Sequence, residues 1–211
     1  IITYYTSSDD EYQAIDGAPD RYGEWISQIN AIEKISDLAI KLNFLFIVRV
    51  HPNLANKSKK EQSRWENLSY EIKNKGFIWI NQDDNESSYE ILKNSDLVLS
   101  AGSTIGIEAI YLRKPSIVIV QCYYDTVIPC IKKCDSILKM EELLADSKTY
   151  ENTKKSESYV YGAWALGYAT KYQFFRASDP ISVLQGYMKE GVRIASPGLL
   201  QKIINIMKKF I

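Results

Sequence analysis

The sequence predicts an α/β fold with a doubly wound parallel sheet, and three features support this prediction. Short apolar runs alternate with longer amphipathic stretches over the first 120 residues, which is the order of elements in a βαβ chain. Several runs are apolar almost throughout, as in strands that are covered on both faces of a parallel sheet. Polar and small residues follow these runs directly, as loops at a strand end do. Right-handed crossovers would then place helices on both faces of a Rossmann-like sheet.

The order of the elements follows from two periods of apolar residues, about two residues in strands and about 3.6 residues in helices. Five strands are predicted, at residues 1–6, 44–50, 77–80, 96–100 and 115–120. The second is nearly continuous in apolar residues and ends abruptly at His51-Pro52. Apolar residues at spacings of three and four predict a helix over residues 25–42, and further helices are predicted over the charged stretch 59–75 and over 105–112. Ser87 or Ser88 can cap a further short helix that runs through Leu92.

The part of the chain after Gln121 shows no further strand pattern. Helices are predicted at residues 141–145, 156–175 and 199–210, separated by Asp179-Pro180 and by Ser196-Pro197-Gly198. We therefore expect a single domain over residues 1–211, with a five-stranded βα core (1–120) and a mainly helical C-terminal part (121–211). The chain opens on Ile1 inside a strand pattern, so we expect it to be part of something longer.

Composition and charge exclude several classes of function. Hydrophobic residues make up 45% and charged residues 25%, as in ordinary globular proteins. Lys plus Arg equals Asp plus Glu, 26 against 26, so no global positive field would attract a nucleic acid. The three cysteines, Cys122, Cys130 and Cys134, have no nearby histidine, so neither a disulfide framework nor a metal site is expected. Such thiols fit a reducing cytoplasm.

The sequence also bears on membranes. No apolar run approaches the roughly 20 residues that span a bilayer. The predicted helix at 199–210 carries three lysines, which are too few for stable anchoring. We expect a cytoplasmic protein with at most peripheral contact at the inner face of the membrane.

Ligands of an open parallel sheet bind beyond the carboxyl ends of its strands, so the residues after each strand are the candidate site. The first such loop begins Ser7-Ser8-Asp9-Asp10. Ser7 and Ser8 are candidates for the mouth of a cleft. The alternative is a solvated acidic loop in which the serines are local caps.

The second loop is Arg49-Val50-His51-Pro52-Asn53, and it holds the sole histidine of the chain. Pro52 biases the residue before it toward an extended conformation, which would hold the imidazole out at the lip of the sheet. With an ordinary pKa of about 6.5, His51 can donate a proton or a hydrogen bond to a phosphate near neutral pH. The alternative is a surface or capping histidine.

The third loop runs from Ser100 to Ala109 and leads from a strand straight into a helix. Gly102 and Gly106 would let the backbone approach a ligand, and the hydroxyls of Ser103 and Thr104 could bind an anion there. Glu108, one helical turn after Thr104, could accept hydrogen bonds from sugar hydroxyls. The alternative is that Ser103 or Thr104 is only an N-cap. The loop is neither a P-loop nor a dinucleotide fingerprint, because its glycine spacing differs from both.

Two segments resemble a known family. The run from Ile47 to Asn53 and the run from Ser95 to Ala109 are similar to bacterial capsule-polysaccharide biosynthesis proteins, which are GT-B glycosyltransferases. The resemblance is to their C-terminal, donor-binding half and covers about Ile2 to Val120, with weaker similarity from Tyr161 to Phe175. The His-Pro pair and the Ser/Thr pair also resemble motifs of bacterial sialyltransferases, Kdo transferases and CDP-glycerol phosphotransferases.

This resemblance implies a role for several residues. It places His51 at the donor phosphate as the catalytic hydrogen-bond or proton donor, with Ser103 and Thr104 at the same group and Glu108 near the ribose. Cytidine donors are the first expectation, by analogy with the families that share the His-Pro pair. The acidic motif that supplies the base in the sialyltransferases belongs to their other domain, and Ile15-Asp16-Gly17 is a poor substitute for it.

The sequence therefore predicts the donor-binding domain of a glycosyltransferase, which requires a nucleotide-sugar donor, a polysaccharide or glycolipid acceptor, and an N-terminal GT-B domain. No cofactor or metal is expected. Two alternatives stay open: a CDP-glycerol-type phosphotransferase, which would use the same phosphate site, and a nucleotide-binding module without turnover. A UDP-sugar epimerase shares the fold but needs both domains and further carboxylates.

Overall fold

The computed structural model describes residues 1–8, 21–122, 124–151 and 153–168, and the short segments 176–177, 187–189 and 192–193. These residues belong to two compact units, Ile1–Trp164 and Ala165–Ile211. The predicted helix at 199–210 lies outside the described residues, as do the loop residues 9–20. Within the described residues, no helix combines the length and the apolar character that crossing a membrane requires.

A six-stranded sheet, parallel throughout, forms the centre of the first unit, with the strand order β3-β2-β1-β4-β5-β6. The strands are β1 (Ile2–Tyr5), β2 (Phe46–Arg49), β3 (Ile78–Ile80), β4 (Leu97–Ser100), β5 (Ser116–Val118) and β6 (Lys132–Lys133). This order confirms the predicted doubly wound α/β fold, because the chain winds outward from β1 in both directions.

Helices cover both faces of this sheet. They are α1 (Gln28–Lys41), α2 (Lys59–Asn74), α3 (Ser88–Asn94), α4 (Ile105–Tyr111), α5 (Ile137–Ala145) and α6 (Lys155–Tyr168). Buried residues of α1, α2 and α5 share one core with alternate strand residues such as Tyr4 and Val48. Residues of α3 and α4 pack with Tyr5 and Val98, which point to the other face. The period of two in the strands thus separates the two cores.

The two helices that flank the candidate site begin at side-chain caps. The Ser27 hydroxyl accepts the backbone N–H of Asn30 at the start of α1, and the Ser58 hydroxyl accepts that of Glu61 at the start of α2. Each cap satisfies an amide that has no partner within the helix. These caps fix where both helices begin, beside the carboxyl edge of the sheet.

The sheet has a topological switch point between β1 and β4. Tyr5 of β1 lies level with Arg49 of β2 on one side and with Ser100 of β4 on the other. From β1 the chain continues outward to β2 and β3, and it then crosses to β4 and continues to β5. Such a reversal opens a crevice at the carboxyl ends of the central strands, where open α/β sheets bind ligands.

The structure corrects the prediction that strands end before Gln121. Lys132 and Lys133 form the edge strand β6 beside β5, and both are exposed. Two lysines have no apolar pattern that would identify a strand, although charged residues are common on sheet edges because they prevent further pairing. The second unit contains a small antiparallel sheet of β7 (Arg176–Ala177), β8 (Tyr187–Lys189) and β9 (Val192–Arg193), where we expected mainly helix. Helix α6 covers Lys155–Tyr168, and the rest of the helix predicted to residue 175 lies outside the described residues.

Gly106 allows α4 to pack closely on the sheet. A Cβ atom at this position would lie 3.0 Å from the Ser116 hydroxyl and 3.0 Å from the Tyr124 hydroxyl. Both neighbours are buried, and the Tyr124 hydroxyl is held by a hydrogen bond to the Ser103 carbonyl. By contrast, a Cβ at Gly162 in α6 would meet nothing within 4 Å.

We therefore expect Gly106→Ala to lower the free energy of unfolding by about 1 kcal/mol, because overpacking of a buried contact outweighs the helix propensity of alanine. Gly162→Ala is the matched control and should raise it by about 0.5 kcal/mol, since it places the same methyl group in open space. Urea unfolding measures both changes. Equal stabilisation by the two substitutions would contradict the close contact at Gly106.

The three thiols are free, and burial raises the pKa of each. Cys134 is fully buried, and burial raises its pKa from 9.0 to about 11. A thiol with a raised pKa in the folded state stabilises the fold below its unfolded pKa. This contribution is lost as pH rises toward the folded value, because the unfolded chain ionises first.

Stability should accordingly fall between pH 8 and pH 10, with about 1 kcal/mol of the decline due to Cys134. Urea unfolding at a series of pH values measures the decline. Cys134→Ala should be less stable than the wild type at pH 7 but should lose less stability toward pH 10. A slope that the substitution leaves unchanged would show that Cys134 does not contribute.

Candidate functional site

Three loops meet at the carboxyl edge of the central strands. They follow β1, β2 and β4, and they contain Thr6 to Ser8, Val50 to Asn53 and Ala101 to Thr104. Because β1 lies between β2 and β4, its loop lies between the other two. Adjacent strands are about 4.8 Å apart, so β2 and β4 are about 10 Å apart across β1.

Two hydrogen bonds fix His51 at this edge. Its backbone N–H donates to the hydroxyl of Thr6 at 2.7 Å, which ties the loop after β2 to the loop after β1. Its side-chain Nδ1 accepts the backbone N–H of Asn53 at 3.2 Å and caps the 3-10 turn Pro52–Asn56. His51 is extended, as the following proline predicts, with φ −68° and ψ 137°.

The cap also determines which imidazole nitrogen carries the proton. Because Nδ1 accepts a hydrogen bond, the neutral imidazole carries its proton on Nε2. Nε2 is therefore a donor, and His51 is half-buried at the wall of a cleft. The capping role, which was the alternative reading of the sequence, and a donor role at Nε2 are compatible, since they use different nitrogens.

The loop after β1 is held by a buried amide. The side-chain carbonyl of Gln28 accepts the N–H of Ser7 at 2.7 Å, and its side-chain NH₂ donates to the Ser7 carbonyl at 3.0 Å. Gln28 is 1% exposed, at the start of α1. The Ser7 hydroxyl is also buried, and it has no hydrogen-bond partner among the described residues. The backbone of Ser7 is thus fixed while its hydroxyl stays available.

These residues line one small, narrow cleft, which we call the His51 cleft. Its sheet side consists of Thr6, Ser7, Ser8, Val50 and His51. Its other side comes from the 3-10 turn and α2, with Leu54, Lys57, Glu61 and Trp65. The structure therefore brings three residues of the predicted site together, Ser7, Ser8 and His51, whereas Pro52 is exposed at the start of the turn.

The loop after β4 lies on the other side of β1. Gly102 has φ +87°, a conformation that favours glycine, and it turns the chain out of the strand. The Tyr124 hydroxyl donates to the Ser103 carbonyl at 2.6 Å and so holds this loop in place. Ser103 and Thr104 are not among the residues that line the His51 cleft.

The hydroxyls of Ser103 and Thr104 do little capping. Thr104 occupies the N-cap position of α4, but its side chain makes no cap hydrogen bond. The Ser103 hydroxyl lies 3.5 Å from the Ile105 nitrogen, at the limit of a hydrogen bond. The Thr104 hydroxyl instead lies 3.4 Å from a carboxylate oxygen of Glu108. Glu108 also accepts a hydrogen bond from Tyr89 of α3, which raises the pKa of that phenol.

Two predicted site residues have contacts that serve the fold. The guanidinium of Arg49 donates to the Ser88 hydroxyl and to the carbonyls of Asn81 and Asp84. Arg49 thus holds the segment between β3 and α3. Gly106, in the first turn of α4, is buried against Ser116 and Tyr124.

Several residues near the site were not predicted. Arg21 donates to the Ala101 carbonyl at 2.8 Å, and its cation lies 5.5 Å from the ring centre of Tyr22. It thereby brings a positive charge to the loop after β4. Its position 80 residues from Ala101, in a polar loop, gave no signal in the sequence. Gln28 and Glu61 were not predicted either. The apolar stripe of each helix predicts its buried face but not the role of its individual polar residues.

The described residues contain no group of three or more His, Cys, Asp and Glu side chains that could hold a metal ion. Charged side chains also lie near this edge of the sheet, but they lie at different places along it. Arg21 lies at the β4 loop, and Lys57 and Glu61 lie at the His51 cleft.

No protein-family model matches the chain, and no curated protein matches it. Solved structures are similar to it in fold. The UDP-GlcNAc 2-epimerase of Methanocaldococcus jannaschii, in complex with UDP-GlcNAc and UDP, is 18% identical with a TM-score of 0.47, and the match covers 80% of this chain and 45% of the epimerase. The UDP-GlcNAc 2-epimerase of Neisseria meningitidis, bound to UDP-GlcNAc, is 16% identical with a TM-score of 0.46, over 79% and 44% of the two chains.

A third similar structure is KpsC of Thermosulfurimonas dismutans, a beta Kdo 2,7 transferase. It is 16% identical with a TM-score of 0.45, over 98% of this chain and 53% of KpsC. This chain thus spans about half the length of the proteins it resembles. At such identities the similarity concerns the fold alone.

The amide of Gln28 gives a direct test of how the β1 loop is held. Gln28→Met keeps the shape of the side chain but leaves the Ser7 N–H and carbonyl buried without partners, so the free energy of unfolding should fall by about 2 kcal/mol. The control is Gln62→Met, because Gln62 donates to the carbonyls of Ala55 and Lys57 from a half-exposed position. Water can replace its bonds, so its loss should cost less than about 0.5 kcal/mol. Urea unfolding that gives equal losses would contradict the clamp.

Proposed function

We propose that this chain is the donor-binding domain of a GT-B glycosyltransferase that transfers a sugar from a nucleotide-activated donor in the synthesis of a bacterial capsule or surface polysaccharide. The observation that carries the proposal is the His51 cleft. It combines an imidazole that has an Nε2 donor with two serines, next to the switch point of a doubly wound sheet. The resemblance of the two motif segments to capsule-polysaccharide proteins supports the same function.

The chemistry of this reaction matches the groups present. When the bond between the sugar and the donor phosphate breaks, negative charge develops on the leaving phosphate oxygen. A hydrogen bond or proton from Nε2 of His51 stabilises this charge, and a positioned donor of this kind contributes on the order of 3 kcal/mol to a transition state. The Ser7 hydroxyl, which is buried and without a described partner, is a second donor for the same phosphate.

The hydroxyls of Ser103 and Thr104 would bind the nucleotide on the other side of the β1 loop. Strands β2 and β4 are about 10 Å apart across β1, so a nucleotide that crosses the β1 loop would meet His51 at one end and the β4 loop at the other. Glu108 would then accept hydrogen bonds from the ribose hydroxyls, and Arg21 would supply positive charge at the β4 loop. Asn53 serves this arrangement indirectly through the N–H that holds Nδ1 of His51.

The proposed enzyme also requires parts that this chain does not supply. An N-terminal GT-B domain would supply the base and most of the acceptor site. The acceptor would be a polysaccharide or glycolipid, and no metal ion is required if His51 stabilises the leaving group. The proposed location is the cytoplasm, with at most peripheral membrane contact.

The test is the binding of nucleotides to the wild type and to His51→Asn. The side-chain carbonyl of the introduced asparagine can replace Nδ1 as acceptor for the Asn53 N–H, so the cap and the melting temperature should be kept while the Nε2 donor is lost. We expect one of CMP, CDP, UMP, UDP and GDP to bind selectively, and CMP or CDP first. His51→Asn should weaken that binding about 10- to 100-fold, the range for a hydrogen bond to a charged group.

Thermal shifts screen the five nucleotides, and calorimetric titration gives the affinity of the one that binds. His51→Ala is the second variant, and it should lower both the affinity and the melting temperature because it also removes the cap. Equal and negligible shifts for all five nucleotides would contradict the proposal. Unchanged affinity in His51→Asn would show that the imidazole does not contact the phosphate. Binding of CDP-glycerol with product formation would instead identify a phosphotransferase.

A further inference from the structure

A second cavity adjoins the His51 cleft. It is a groove of about 310 Å³ between the N-terminal ends of α1 and α2, lined by Ser27, Gln28, Lys60, Glu61, Arg64 and Trp65 among others. We call it the α1–α2 groove. Glu61 and Trp65 line both cavities. A ligand in the groove would therefore lie next to a group bound at His51.

The two cavities carry an excess of positive charge although the whole chain is neutral. Among the described residues that line them, three are cationic, Lys57, Lys60 and Arg64, and one is a carboxylate, Glu61. Lys60 and Arg64 are four residues apart, so they lie on one face of α2. Both are exposed, and neither forms an ion pair with another described residue. The charge of the groove therefore favours an anion.

The other side chains favour a sugar over a simple anion. Trp65 is 7% exposed and is held against Trp79, with ring centres 6.3 Å apart, so the part of its indole that reaches the cavities is rigid. Aromatic rings and carboxylates are suitable partners for the C–H faces and hydroxyls of sugars.

The Ser7 hydroxyl gives an independent indication of a polar ligand. Ser7 is 7% exposed, lines the His51 cleft beside the groove, and has no hydrogen-bond partner for its hydroxyl among the described residues. A buried hydroxyl without a partner costs free energy, and a donor phosphate bound in the His51 cleft, next to a saccharide in the groove, would supply the missing bond.

From these contacts we infer that the α1–α2 groove is a subsite for a carboxylate-bearing saccharide of the acceptor, with Lys60 and Arg64 at the carboxylate, Glu61 at the hydroxyls and Trp65 at the ring. This inference rests on the proposed function, since it names the class of acceptor that would approach a donor bound at His51. The acceptor is then a polysaccharide that contains acidic sugars.

The test is calorimetric titration of the full 211-residue chain with trigalacturonic acid. The neutral trisaccharide maltotriose and inorganic pyrophosphate are the comparison probes. We expect trigalacturonic acid to bind, and the double variant Lys60→Gln, Arg64→Gln to weaken this binding about tenfold, because two charge-assisted contacts are lost. Maltotriose and pyrophosphate should bind at least about tenfold more weakly than trigalacturonic acid.

The matched control is the double variant Lys59→Gln, Lys73→Gln. It removes the same charge from exposed positions of the same helix that do not line the groove, so it should leave the affinity within about twofold. Glutamine is a good helix former at all four positions, so both variants should keep the melting temperature. Equal effects of the two double variants would overturn the inference, because they would indicate attraction by net charge alone.

Other results would also overturn it. These are the absence of trigalacturonic acid binding, equal binding of maltotriose, and pyrophosphate binding that is as tight and as sensitive to the Lys60 and Arg64 substitutions. His51→Asn separates this site from the donor site, because it should weaken nucleotide binding and leave trigalacturonic acid binding unchanged. Failure of nucleotide binding alone would therefore contradict the proposed function, whereas failure of saccharide binding alone would contradict only the subsite.

Discussion

The central position of β1 is the constraint on which the site depends. Because β2 and β4 pair with β1 on opposite sides, the three loops after these strands must meet at one edge. Two contacts then convert this topology into a defined cleft. The Thr6 hydroxyl accepts the His51 N–H, and the Gln28 amide holds both backbone groups of Ser7. Each contact joins elements more than 20 residues apart in the chain, so the cleft is a product of the tertiary structure.

Local backbone geometry also decides the chemistry of His51. The proline after it holds the residue extended, and the 3-10 turn that begins there presents the Asn53 N–H to Nδ1. The hydrogen bond that caps this turn therefore also selects the imidazole tautomer with the proton on Nε2. A structural capping role and a chemical role at the cleft are two consequences of one contact, so the sequence alternatives for this histidine are not exclusive.

Much of the fold follows from periodicity alone, whereas much of the site does not. The five core strands, and the meeting of Ser7, Ser8 and His51, follow from apolar runs and from the rule that strand ends share an edge. The strand at Lys132 and the partners Arg21, Gln28 and Trp65 carry no such signal. Lys132 and Lys133 are polar edge residues, and Trp65 belongs to the apolar stripe of α2 like any core residue. Trp65 also lines the His51 cleft, and it does so only because α2 packs beside the loop after β2.

Arg49 shows how strand alternation could have refined the prediction. Its neighbours Val48 and Val50 belong to the core beneath α1 and α2, on the face that leads to the His51 cleft. A strand with a period of two must then direct Arg49 to the opposite face, and there its guanidinium contacts Ser88. Tyr5, level with Arg49 on β1, points the same way, and its hydroxyl donates to the Ser88 carbonyl. Both polar groups at this level therefore position α3. The residues that can face a ligand follow β2, beyond its last pair with a neighbouring strand. There the alternation ends, and the loop geometry, rather than the pleat, sets the direction of each side chain.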